Sequence, residues 1–128
     1  MREIVAELRA ALAPDRVHDG ASYLSLYRRD ASTMEGSTSV VCLPVSTEEV
    51  QACIRAAVEH GVPFVPRGSG TGLSGGAVPL DGSVVIALSK MDTILSVDEV
   101  NRLAWVQPGV LNLDLTNRLA HLGLHFAP

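Results

Sequence analysis

Residues 39–66 restrict the fold more than any other part of the chain. "SVVCLP" (Ser39–Pro44) is a short β-branched run suited to a buried strand, and "VPFVP" (Val62–Pro66) is a second. Between them, "STEEVQACIRAAVEHG" reads as a helix with marked ends. Ser46 stands at the N-cap, Glu49 completes a capping box, and Gly61 occupies the C′ position. Val50, Cys53, Ile54, Ala57 and Val58 make one apolar face. Strand, helix and strand joined so closely form a right-handed βαβ unit, and its two strands are expected to be a parallel pair.

The rest of the chain arranges itself around this unit. Arg2 to Leu12 has apolar residues at Ile4, Leu8, Ala11 and Leu12, which is helical spacing, and Pro14 ends the helix. Asp15 to Ser37 is polar and mixed; loop and short turns are expected there, with Tyr23, Leu24, Leu26 and Tyr27 as packing anchors. "SVVIAL" (Ser83–Leu88) is a third buried strand. "TILSV" and "RLAWVQ" flank a hairpin turn at Asp98 to Asn101, with Arg102, Ala104 and Val106 alternating with Leu103, Trp105 and Gln107. Leu111, Leu115, Leu119 and Leu122 line a last helix that stops at Gly123, and "LHFAP" begins another strand.

The chemistry concentrates in "PRGSGTGLSGGAVP" (Pro66–Pro79), where five of fourteen residues are glycine. Each glycine adds backbone entropy that folding must remove, so such a loop costs stability. Three motifs overlap in it. Gly70-Thr71-Gly72-Leu73-Ser74-Gly75 fits GxGxxG, but a dinucleotide fingerprint must open a helix, and here a strand follows. Gly72-Leu73-Ser74-Gly75-Gly76 fits GxSxG, but a nucleophile elbow needs a strand before Ser74 and a helix after it. His121 and His125 follow Ser74, and nothing pairs either with it; His121 is expected on a helix surface and His125 in a strand. A Walker A loop needs a lysine, and the chain's single lysine is Lys90.

What survives is an anion-binding nest. Successive unhindered amides can converge on one anion. Ser69, Thr71 and Ser74 add hydroxyls, and Arg67 adds a positive charge. The loop leaves the carboxyl end of a parallel strand, where open α/β sheets bind ligands, and a diphosphate suits it. The competing structural reading is a mobile surface loop with Arg67 in an ordinary salt bridge.

Charge and composition exclude other classes. The formal net charge is -4, and the ten basic residues are scattered apart from the surface pair Arg28-Arg29, so no nucleic-acid footprint is present. Cys42 and Cys53 make no metal-ligand spacing and read as buried free thiols, which fits a reducing compartment. No metal site is expected. The opening "MREIVAEL" is not a signal peptide, and no apolar run reaches membrane-span length. A soluble, cytoplasmic protein is expected.

The glycine loop followed by "VQPGV" resembles the FAD-binding domain of the vanillyl-alcohol oxidase / p-cresol methylhydroxylase (PCMH-type) superfamily. Within it, the chain is most similar to the glycolate oxidase FAD-binding subunit and D-lactate dehydrogenase branch. The resemblance covers Ser39 to Pro128, and "YRRDAS" (Tyr27–Ser32) resembles the segment preceding the domain. It implies an α+β fold: residues 1–38 as an N-terminal helix and extended segment, and residues 39–128 as the first, βαβ-containing half of the domain. That half would be a small mixed sheet with flanking helices.

The implied cofactor is FAD. Pro66, Arg67, Gly68, Ser69, Gly70, Thr71, Gly72, Leu73 and Ser74 would wrap the pyrophosphate, and Pro108, Gly109 and Val110 would lie against the flavin. Without the resemblance, Pro108-Gly109 reads as a strand-to-helix turn. Thr71 stands where covalent members carry histidine, so attachment there is not expected and FAD is expected to be non-covalent. The implied activity is oxidation of a 2-hydroxy acid, with the flavin accepting a hydride equivalent from the α-carbon. The resemblance implies no catalytic residue in these 128 positions; the family's second half and substrate domain would follow them. The fragment alone is expected to be inactive, to hold FAD weakly and to self-associate through uncovered edges. The alternative is a non-catalytic nucleotide-binding or interaction module that keeps the anion loop.

Overall fold

The strand at Ser83–Ala87 is buried at every position, and a four-stranded sheet is built around it. A computed structural model describes residues 1–127. The chain divides into two units, Met1–Lys90 and Met91–Pro128. The first contains α1 (Arg2–Ala11), β1 (Val17–His18), α2 (Ala21–Leu24), β2 (Thr38–Cys42), α3 (Thr47–Glu59), β3 (Phe64–Arg67) and β4 (Ser83–Ala87). Single 3₁₀ turns lie at Pro14–Arg16, Ser25–Tyr27 and Leu88–Lys90.

The sheet order is β1-β2-β4-β3, with β1 antiparallel to β2 and the other pairs parallel. This is the small mixed sheet expected from the sequence, with one correction. The strands that flank α3 do not pair with each other; β4 lies between them. Val84, Val85 and Ile86 need cover on both faces, and only a central position supplies it. One face carries Val40, Cys42, Val84 and Ile86 against Ile4, Leu8 and Leu12 of the α1 region and Cys53, Ala56 and Ala57 of α3. The other carries Val41, Leu43, Val85 and Ala87, packed by Tyr23, Leu24 and Tyr27.

Several local expectations need correction. Residues 15–37 are not all loop and turn: Val17 and His18 pair with Cys42 and Val41, and α2 follows. Leu26 is exposed and anchors nothing. Ala11 and Val58 point to solvent, and Ala56 takes Val58's place on the buried face of α3. Strand β3 starts at Phe64 because Val62 belongs to the helix stop. Its amide bonds the Ala57 carbonyl while Gly61, at φ 62°, bonds that of Val58, which is a Schellman closure.

At the other end of α3, Ser46 accepts from the Glu49 amide at 3.3 Å. The reciprocal bond of the capping box is absent. The Glu49 carboxylate instead accepts from the Val45 amide at 2.8 Å and forms a two-point pair with Arg16, whose Nη2 lies 2.7 Å from Oε1. The Arg16 hydrogen bond holds the Glu49 carboxyl below the usual glutamate range. Its stabilisation is therefore full above the unfolded value, and it fades as pH falls through the lower folded value. Glu49→Gln is expected to cost about 1–3 kcal/mol near neutral pH. The difference from the parent should shrink steadily towards about pH 3, measured by urea unfolding at several pH values. A constant difference would show that the pair contributes through packing, not charge.

Cys42 on β2 and Cys53 on α3 are free thiols in the same buried cluster. The hydrogen bond with Cys53, together with burial, pushes the Cys42 thiol well above its ordinary value, so it stays protonated.

The second unit contains β5 (Ile94–Asp98), β6 (Leu103–Val106) and α4 (Asn112–Leu119), with a 3₁₀ turn at Ala120–Leu122. The hairpin forms where the sequence places it, and Asp98 closes the turn by accepting from the Asn101 amide at 2.9 Å and from its side chain at 2.8 Å. The alternation along β6 does not sort into a buried and an open face, because all four residues are exposed. Leu115 and Leu119 are buried, whereas Leu111 is exposed. Gly123, at φ 68°, ends the helical segment as expected. Residues 124–127 form no strand, so His125 is not in one; Pro128, the last residue of "LHFAP", lies outside the described residues.

Candidate functional site

Strand β3 delivers Arg67 to the mouth of the glycine loop in fixed register, opposite Ala87 of β4. Arg67 is 8% exposed. Its Nη1 donates to the Ala77 carbonyl at 3.1 Å, tying the first residue of the loop to its last turn. The guanidinium lies 5.3 Å from the centre of the Tyr27 ring, within cation–π range. Burial, and then the hydrogen bond with Tyr23, push the Tyr27 hydroxyl up to about 12, so the ring stays a neutral phenol. Among the described residues no carboxylate pairs with Arg67. The salt-bridge alternative therefore fails, and the charge stays available to an anion.

Between these ends the loop is open. Pro66, Gly68, Ser69, Thr71, Gly72, Leu73 and Ser74 are exposed and Gly70 is half-buried. Among the described residues, no backbone amide from Ser69 to Ser74 donates to a protein acceptor. Gly70 has φ +74°, and a Cβ there would lie 2.1 Å from Arg67 Nη2 and 2.4 Å from its Cζ. The glycine thus makes room for the arginine that holds the loop. Unspent amides around a buried guanidinium are the donor set a diphosphate needs, so the residues present fit the pyrophosphate of a dinucleotide.

The other motifs do not acquire their contexts. Ser74 follows bent and irregular loop residues, and turns then β4 come after it, so neither a nucleophile elbow nor a phosphate-binding helix forms. In the second unit, Pro108 and Gly109 form a turn between β6 and α4. The Gly109 amide bonds the Met91 carbonyl at 2.8 Å and the Val110 amide bonds that of Gln107 at 3.1 Å. Pro108 is exposed, and Gly109 and Val110 are half-buried.

Residues 38–128 match the family described as FAD binding domain. The chain belongs to this family. It is 34% identical to the glycolate oxidase subunit GlcD of Bacillus subtilis (strain 168) over 128 residues, covering 99% of this chain and 27% of that protein. Identity to the D-lactate dehydrogenase of Anaerostipes hadrus is 37% over 119 residues, covering 91% of this chain and 25% of the relative. The fold matches the crystal structure of p-cresol methylhydroxylase with a TM-score of 0.86 and 26% identity, covering 96% of this chain and 25% of that one. The chain thus spans about a quarter of the length of the relatives it matches. In this chain the glycine loop links β3 directly to β4, adjacent and parallel, with no helix in the crossover.

Sequence reasoning missed the loop's supports. Tyr27 stood out as a packing anchor, but its role under Arg67 did not. Asp30, Met34 and Gly36 were not singled out. The available signal was the "YRRDAS" segment, which carries Tyr27 and Asp30 ahead of the domain.

Proposed function

We propose that this chain is the FAD-binding part of a flavin-dependent oxidoreductase that oxidises a 2-hydroxy acid of the glycolate or D-lactate type. The observation that carries this reading is the run of unspent amides from Ser69 to Ser74 around the buried Arg67, in a chain of the FAD-binding family. Pro66 to Ser74 hold the pyrophosphate, mainly through backbone N–H groups, and Arg67 contributes charge. Pro108, Gly109 and Val110 offer unhindered backbone to the flavin. Bound flavin supplies the two-electron acceptor for the hydroxy acid, and the protein positions it. Residues 39–128 form the domain proper, with 1–38 as the segment that leads into it. The buried free thiols Cys42 and Cys53 support a reducing, cytoplasmic setting. A flavin spectrum in the purified full-length protein, with turnover of glycolate or D-lactate by a dye acceptor, tests the whole reading. A colourless protein that takes up no FAD would end it.

Two expected results follow from the residues present. Thr71 offers a hydroxyl where covalent attachment uses an imidazole, so FAD is held without a bond. Acid precipitation of the full-length protein should leave all flavin in the supernatant; flavin in the pellet would refute this. The 128-residue chain by itself supplies donors for the pyrophosphate but only the Pro108–Val110 backbone for the ring. It should be inactive and bind FAD at micromolar strength or weaker, since each ~1.4 kcal/mol lost is tenfold in affinity. Exposed Leu95, Val100, Leu103 and Trp105 should drive its self-association. Flavin fluorescence titration with light scattering decides both points; a monomer with nanomolar affinity would show that the ring needs no further contacts.

A further inference from the structure

Residues 27–36 precede the matched family domain, yet they touch the glycine loop at one position after another. The segment is first closed on itself. Arg29 bridges to Glu35, the Gly36 amide bonds the Arg28 carbonyl at 2.9 Å, and Arg28 and Arg29 both pair with the Glu35 carboxylate. It then meets the loop from end to end. The Tyr27 ring lies under the Arg67 guanidinium. The Ala31 amide donates to the Gly72 carbonyl at 3.1 Å. Met34 fills the space beside Gly75, where a Cβ would fall 2.5 Å from its sulfur. Gly36 lies so close to Pro79 that a Cβ would come within 1.9 Å of the Pro79 carbonyl oxygen.

Asp30 sits at the centre of this contact. Its Oδ1 accepts from the Ser32 amide at 2.8 Å. Its Oδ2 is buried, has no partner in hydrogen-bond geometry, and lies 4.0 Å from where a Gly72 Cβ would be. The Ser32 hydrogen bonds, with smaller contributions from the Ala77 and Gly75 amides, hold the carboxyl below the usual aspartate range. A buried carboxylate oxygen without a partner is costly, and such groups persist where they do something else. Here the carboxylate lies against Gly72 of the loop, and the Gly75 and Ala77 amides help to hold its charge. The amides of residues 69–74 donate to no protein acceptor among the described residues. A loop so rich in glycine samples many conformations unless something restrains it, and binding to an unrestrained loop is weakened by the entropy lost.

We propose that residues 27–36 are a clasp that sets the shape of the anion-binding loop, with Asp30 as its positioning residue and Tyr27 as the platform for Arg67. The proposal rests on the FAD reading given above. It makes the segment ahead of the family domain a working part of the cofactor site.

The sign of one substitution separates positioning from simple electrostatics. Removing a negative charge near a diphosphate should, by Coulomb attraction alone, tighten FAD binding. If Asp30 positions the loop, Asp30→Asn should weaken it, by roughly tenfold. The experiment uses the full-length protein, stripped of flavin, as the parent, Asp30→Asn and Tyr27→Leu. Three quantities are measured on each: FAD affinity by fluorescence quenching, the melting temperature of the apoprotein, and amide hydrogen exchange across residues 68–78. The expected result is weaker FAD binding and faster loop exchange in both variants, with the apoprotein melting temperature little moved in Asp30→Asn and lowered in Tyr27→Leu, whose ring also packs against the sheet. Tighter or unchanged FAD binding by Asp30→Asn overturns the proposal. So does a fall in melting temperature that accounts for the lost affinity without faster loop exchange. If the parent itself binds no FAD, the cofactor reading fails, and the exchange measurement alone still decides the clasp: unchanged exchange in both variants overturns it.

Discussion

Gly70→Val is expected to strip the flavin from the full-length protein while leaving its fold in place. Two costs coincide at this position. Gly70 has φ +74°, a region that a β-branched residue enters only under strain of about 1–3 kcal/mol. A side chain there also occupies the space of the Arg67 guanidinium, 2.1 Å from Nη2. Arg67 cannot move aside freely, because the Ala77 carbonyl and the Tyr27 ring hold it. Either the loop or the arginine must leave its place, and on the proposed reading both serve the pyrophosphate. The sheet does not depend on Gly70, since β3 ends at Arg67. FAD content should fall at least tenfold, and an affinity loss of about a hundredfold corresponds to ~2.7 kcal/mol. Circular dichroism and the apoprotein melting temperature should stay near those of the parent. Stoichiometric flavin in the variant would remove the loop from the cofactor site.

Leu8→Ala is expected to have the largest effect on stability, although Leu8 lies outside the residues that match the family. Its side chain is fully buried, in one cluster with Val40, Cys53, Ala57, Val84 and Ile86. Truncation removes three carbons from the middle of α1 and leaves a cavity against the sheet, which costs about 2–5 kcal/mol. Loss on that scale is a large part of the stability of an ordinary domain. Urea unfolding of the 128-residue chain should show the midpoint falling sharply with the slope retained. A change under about 1 kcal/mol would mean that α1 packs loosely and that the core closes without it.

The elements with local punctuation were legible in the sequence. Ser46, Gly61 and the apolar face between them mark α3 to within a residue, because a cap and a C′ glycine act within one turn. Asp98 and Asn101 mark the hairpin for the same reason. Strand order was not legible. β4 enters between β2 and β3 because of how many of its faces need cover, and pairing partners leave no mark within a strand. Residues 15–37 were opaque for a related reason. Val17 and His18 become a strand only because Val41 and Cys42 present an edge to them. The glycine loop was legible as an open stretch, because its composition marks it without any partner. Its support by Tyr27, Asp30, Met34 and Gly36 depends on contacts across some forty residues, which no spacing rule encodes.

The interposed β4 has a consequence for the order of assembly. A growing chain that has reached Gly82 contains β2, α3 and β3 with an unfilled lane between the two strands, because each must hydrogen-bond to β4. The glycine loop at that stage has only one end joined to a strand. Only when Ser83–Ala87 slides into the lane are both ends of the loop fastened to neighbouring strands. Such non-local, parallel pairing is slow compared with helix formation. The glycine loop is thus among the last parts of the sheet unit to acquire its shape. Pulse-labelled hydrogen exchange during refolding should show the α3 amides protected before those of β3 and β4, and those strands protected together in a single phase.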